Sequence, residues 1–111
     1  MDDRRQDPRY TPAQELAAYD LHSTRLLGRV VDISEHGFLL FCPQPIDAES
    51  IWHLHFLAAQ APHLNSVLTL GAECLWVRPA NQAEHCWAGF QIIDIAPEET
   101  EKLRALFPSS P

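Results

Sequence analysis

The chain has 111 residues, 46% of them apolar and 21% charged, which is the balance of one globular domain and not of a disordered polymer. A formal net charge of −7 opposes long-range capture of DNA or RNA, and no apolar run approaches the ~20 residues that cross a bilayer. The opening MDDRRQDPRY carries no apolar segment and does not read as a secretory signal. With Cys42, Cys74 and Cys86 lacking CxxC spacing, free thiols in a reducing cytoplasm are expected.

In chain order, residues 1 to 13 read as a flexible polar arm. Pro8 and Pro12 forbid a regular helix there, and three of the eight basic residues, Arg4, Arg5 and Arg9, cluster within it. Residues 14 to 108 read as one folded unit. The aliphatic run Arg25 to Ile33 predicts a strand. Ser34-Glu35-His36-Gly37 predicts a turn in which Gly37 is free to take positive φ. A second strand follows from Phe38 to Cys42, stopped by Pro43 and Pro45. Residues 51 to 57 alternate, with Trp52, Leu54 and Phe56 on one face. Residues 66 to 78 alternate as well, placing Leu68, Leu70, Ala72, Cys74 and Trp76 together. Residues 85 to 95 put Cys86, Ala88, Phe90 and Ile92 on a common face.

The last element changes period. Pro97 suits the first helical position, Glu98 and Glu99 suit the positive end of the helix dipole, and Lys102 and Arg104 suit the other end. Leu103, Leu106 and Phe107 follow i, i+3, i+4 spacing, so a short helix is expected to lie on the β structure, with Pro108 ending it. The fold class is therefore mainly β, a small antiparallel barrel or sandwich with a C-terminal helix.

Two segments carry chemistry. Arg4-Arg5-Gln6-Asp7-Pro8-Arg9 is an RRxxxR pattern, and Asp32-Ile33-Ser34-Glu35-His36-Gly37 is a DxSxxG pattern at a strand-to-strand turn. A guanidinium forks onto phosphate oxygens, or onto guanine O6 and N7, with two parallel hydrogen bonds, and it also stacks on a purine. A carboxylate such as Asp32 accepts from guanine N1–H and N2–H. The Ser34 hydroxyl can donate or accept, and Gly37 leaves room for a base.

These two segments in this order, followed by LWVRP (Leu75 to Pro79), AGFQIIDIAPEE (Ala88 to Glu99) and a short helix, resemble the PilZ domain over nearly the whole chain. The resemblance implies a six-stranded antiparallel barrel that binds cyclic di-GMP, a bacterial second messenger. It assigns ligand contacts to Arg5 and Arg9, to Arg4, and to Asp32, Ser34 and Gly37. Trp76 stands where the family often has a bulky residue near the ligand. The arginine at position 4 implies capture of two stacked ligand molecules per chain. The sequence departs from the family at Ala96, where a serine or threonine often caps the helix, and Asp2, Asp3 and Asp7 crowd the arginines. The implied mechanism is an arm, mobile through residue 12, that closes over the ligand. The new surface then signals in trans to an unidentified protein controlling motility, biofilm, pilus or exopolysaccharide. A monomer is expected, with no cofactor, no DNA or RNA partner and no membrane span.

Other chemistries find less support. His53 and His55 share a strand face, but no tetrahedral metal set follows from spacing, even with Cys74 added. His85 and Cys86 point to opposite faces. Trp52 and Trp87 read as packing residues. There is no GxSxG, P-loop or triad order, so an enzyme is not expected. The competing reading is a PilZ-fold interaction module that binds no nucleotide.

Overall fold

Alternating burial along each segment decides the architecture. A strand with one buried face must cover that face, and closing the sheet on itself does so without leaving edges. The computed structural model describes residues 8–59, 67–81 and 84–107. It contains β1 (Leu16–Asp20), β2 (Leu26–Ile33), β3 (Gly37–Cys42), β4 (Ile51–Ala58), β5 (Leu68–Pro79), β6 (Cys86–Asp94) and α1 (Pro97–Ala105). All neighbouring strands are antiparallel, and the sheet closes as β1-β2-β3-β6-β5-β4, with β4 returning to β1. The expected six-stranded barrel with a C-terminal helix is the observed fold. β1 is the one strand that the hydrophobic pattern did not single out.

Inward positions are aliphatic or aromatic. Leu16, Ile33, Leu40, Leu54 and Leu68 are fully buried around an aromatic centre. There Phe38 stacks on Phe90 with centroids 4.9 Å apart and meets Phe56 edge-on at 5.2 Å. Pairs of this kind add about 0.5–1.5 kcal/mol beyond their buried area. The three thiols of Cys42, Cys74 and Cys86 also face the interior. Cys42 and Cys86 are directly opposed across β3 and β6.

Two irregularities reset which side chains face out. β2 shifts register between Val30 and Asp32, so Val30 and Ile33 can both point inward while Asp32 points out. β5 shifts between Cys74 and Trp76. This corrects the expectation that Trp76 shares a face with Leu68, Leu70 and Cys74. Those three are buried, whereas Trp76 is 39% exposed on the outer wall.

The helix starts at Pro97, with Glu98 and Glu99 in its first turn and Lys102 and Arg104 in its last. Ala96 provides no side-chain cap. The Glu99 carboxylate accepts the Thr69 backbone N–H at 2.8 Å, which ties α1 to the start of β5. Leu103 and Leu106 are buried against the core.

Candidate functional site

The chain enters the barrel through a short backbone clasp. The Tyr10 N–H donates to the Ile33 carbonyl and the Ile33 N–H donates to the Tyr10 carbonyl, both at 2.8 Å. The Tyr10 ring lies 4.7 Å from the Phe107 ring, and the Ala13 N–H donates to the Leu106 carbonyl at 2.9 Å. Residues 10 to 13 are thus held on the barrel, so the expectation of a free arm through residue 12 or 13 does not hold for that part. Arg4 and Arg5 lie outside the described residues.

The clasp delivers Arg9 to the end of β2. Its Nη2 sits 3.1 Å from Asp32 Oδ1, with half of the arginine side chain exposed. The contact has the distance of an ion pair but not the alignment of a hydrogen bond. Oδ1 is a buried oxygen with no hydrogen-bond partner, and it is the one such side-chain atom among the described residues. A buried acceptor without a directed donor is costly and is uncommon in folded proteins.

Ser34 and Gly37 build the turn behind this pair. Ser34 is 2% exposed. Its hydroxyl donates to the Gly37 carbonyl at 3.2 Å and accepts from the Gly37 N–H at 3.1 Å, while the Ser34 N–H donates to the same carbonyl at 2.8 Å. Gly37 does not take positive φ. Its missing side chain is required because a Cβ there would collide with the Phe90 carbonyl oxygen on β6. The turn joins β2 to β3 just after Asp32, and the missing side chain at Gly37 lets β3 lie close to β6. A further ion pair, Arg104 Nε to Glu35 Oε2 at 3.1 Å, links the same turn to α1.

The register continues from Asp32 across the outer wall. Asp32 pairs with Leu39, Leu39 with Gly89, and Gly89 with Trp76. Gly89 is needed here because its Cβ would collide with the Trp76 indole, which lies flat across it. The next outward rung is Arg29–Phe41–Trp87–Arg78. The two rungs are about 7 Å apart, two residues along a strand. Leu39 and Trp76 of the first rung and all four residues of the second, Arg29, Phe41, Trp87 and Arg78, line a surface groove of about 730 Å³, with residues 79–81 at its rim. That volume falls in the about 300–1,000 Å³ range of small-molecule sites. The Arg78 guanidinium lies 5.2 Å from the Trp76 ring centroid, and that of Arg29 lies 5.9 Å from Phe41.

The structure therefore brings Arg9, Asp32 and the Ser34–Gly37 turn together, with Trp76 along the same rung. It adds Arg29, Phe41 and Arg78, which the sequence did not mark as site residues, and Trp87, which the sequence read as a packing residue but which lines the outer groove. Alternation alone says which residues share a face of one strand. It does not say which rungs of four different strands align. His53, His55 and Cys74 do not assemble, because the histidines face out and Cys74 faces the core. No group of three or more His, Cys, Asp or Glu suited to a metal occurs among the described residues.

A closed six-stranded barrel whose N-terminal segment clasps the β2–β3 turn, with a short helix over one end, defines a PilZ-type domain. The PilZ domain family model matches residues 3–107, and the chain belongs to that family. No curated protein sequence matches it. Among solved structures, it is similar to the c-di-GMP-bound PilZ domain of YcgR from Escherichia coli. The TM-score is 0.69 at 13% identity, covering 95% of this chain and 89% of that one. It is also similar to MotI/DgrA, an inhibitor of motility from Bacillus subtilis (TM-score 0.68, 14% identity, 95% of this chain and 50% of that one). A third likeness is to the MrkH–c-di-GMP complex of K. pneumonia (TM-score 0.67, 13% identity, 95% and 51%). The chain spans about half the length of MotI and MrkH. At these identities the likeness is one of fold.

Proposed function

We propose that the chain is a receptor for cyclic di-GMP, binding it on the outer barrel wall between Arg9 and the β2–β3 turn. The observation that carries this reading is the Arg9–Asp32 pair, 3.1 Å apart, with an unsatisfied acceptor oxygen beside an aromatic-lined groove. Membership of a family with c-di-GMP-bound members supports it. On binding, the pair exchanges partners. Arg9 turns to a phosphate or to guanine O6 and N7, and Asp32 accepts from guanine N–H donors. Arg5 is assigned the same role as Arg9. Arg4 is assigned to a second, stacked ligand molecule. Trp76 offers its ring to a base. Ser34 and Gly37 act by positioning Asp32, because their polar groups are engaged with each other.

Tyr10 is already docked, so closure over the ligand falls to Arg9 and the residues before it. The altered surface then acts on a partner protein in trans. Calorimetric titration with cyclic di-GMP tests the reading. Low-micromolar or tighter binding is expected, weakened about 10–100-fold by Arg9→Ala, the loss of one or two charge-assisted contacts. No heat from a folded sample at high micromolar ligand would favour the nucleotide-free interaction module.

A further inference from the structure

The Arg29–Phe41–Trp87–Arg78 rung lies outside both motif segments, and the Arg9–Asp32 site does not need it. Its composition is unusual for the outer wall of an acidic protein. The chain carries a net charge of −7, yet here two guanidiniums stand at the two ends of one rung. Among the described residues, no carboxylate pairs with either of them or with Arg25, whereas Arg9, Lys102 and Arg104 are ion-paired. Between the two lie Phe41 and Trp87, with centroids 4.7 Å apart and planes at 60°. The rung spans three strand spacings, roughly 14 Å. Its residues line the same groove as Trp76 and Leu39, and Leu39 is the cross-strand neighbour of Asp32, so the groove begins one strand away from the Asp32 site.

Unpaired guanidiniums beside aromatic faces suit a planar ring that carries phosphate. The ring stacks, and the phosphate oxygens receive forked N–H donors. A purely apolar partner would leave both charges desolvated without compensation. We propose that Arg29, Phe41, Trp87 and Arg78 form a nucleotide subsite in which the aromatic floor takes a purine face and the guanidiniums take phosphate oxygens. The inference rests on the receptor reading above and extends its footprint along the groove.

The test compares the full chain with Trp87→Ala, Arg29→Ala and Arg29→Lys, each titrated with cyclic di-GMP at two salt concentrations. Circular dichroism and urea midpoints run in parallel. Trp87→Ala is expected to weaken binding about 5–100-fold, the usual weight of base–aromatic stacking. Arg29→Ala is expected to weaken it and to flatten its salt dependence, because a screened charge has been removed. Arg29→Lys is expected to keep the salt dependence while losing part of the affinity, since an ammonium lacks the fork. Unchanged affinity in folded Trp87→Ala and Arg29→Ala, with binding still weakened by Arg9→Ala, would overturn the subsite and leave the receptor reading intact. Weakened binding with an unaltered salt dependence in Arg29→Ala would overturn the phosphate role. No binding by the unmutated chain would overturn both.

Discussion

The Ser34 hydroxyl is occupied on both sides, donating to the Gly37 carbonyl and accepting from the Gly37 N–H inside a buried turn. Ser34→Ala leaves that N–H without its partner and is expected to cost about 1–3 kcal/mol of stability, measured as a lower urea midpoint. Ligand affinity should fall less than in Arg9→Ala, because the carboxylate remains. Gly89 poses the complementary case. An added methyl collides with the Trp76 indole, so Gly89→Ala must lift the ring from the wall. The expected readouts are a changed near-ultraviolet dichroism and an affinity for cyclic di-GMP lowered about tenfold. Binding equal to that of the unmutated chain would mean the indole takes no part. At this scale, Arg9 and Asp32 were legible because charge on a polar arm and a carboxylate before a turn are both visible in the sequence. The orientation of Trp76 was not, since it depends on one extra residue in β5. The positive φ allowed for Gly37 was not needed, because a neighbouring carbonyl, and not the turn angle, excludes a side chain.

At the scale of elements, α1 is fastened by its first turn. Glu99 accepts the Thr69 N–H and meets Lys102 Nζ at 3.0 Å. The Lys102 contact first, and then the Thr69 N–H, hold the Glu99 carboxyl below its ordinary pKa. The folded state therefore binds that proton less readily than the unfolded chain. The stabilisation is present above the usual carboxylate range and disappears as pH falls through the depressed value. Glu99→Ala is expected to lower stability at pH 7 by about 1–2 kcal/mol, with the difference from the unmutated chain narrowing in acid. Equal gaps at pH 7 and pH 3 in denaturant melts would contradict the assignment. The helix was legible because a 3.6 period, a leading proline and charges sorted by sign coincide within nine residues. The bulges in β2 and β5 were not, because they are one-residue phase shifts imposed by the partner strand.

For the molecule as a whole, the interior holds titratable groups that water does not reach. Burial first, and then the neighbouring Cys86 thiol, push Cys42 up to about 12. An unfolded chain would release that proton near the ordinary thiol pKa of about 8.5. Above that value the unfolded state gains from ionisation while the folded state does not, so stability falls as pH rises toward 12. The expected result is a denaturation midpoint that declines through this alkaline window. In Cys42→Val, which keeps an apolar side chain of similar size, the decline should be shallower. Thiol reagents should label Cys42 only as the chain unfolds. Five of the six strands, all but β1, were legible from aliphatic runs and two-residue periodicity. The pairing of β3 with β6 was not, since the two are joined through the whole of β4 and β5 and share no local signal.

Because β4 returns to β1, the described strands form a ring in which every member has a neighbour on both sides. On the receptor reading proposed above, a recruited protein finds no free strand edge to extend, the backbone-led mode of docking to β structure. It must recognise side chains. On that same reading, the signal is written in shape and charge on the rim and flanks, where a bound dianion rewrites it without disturbing the ring itself.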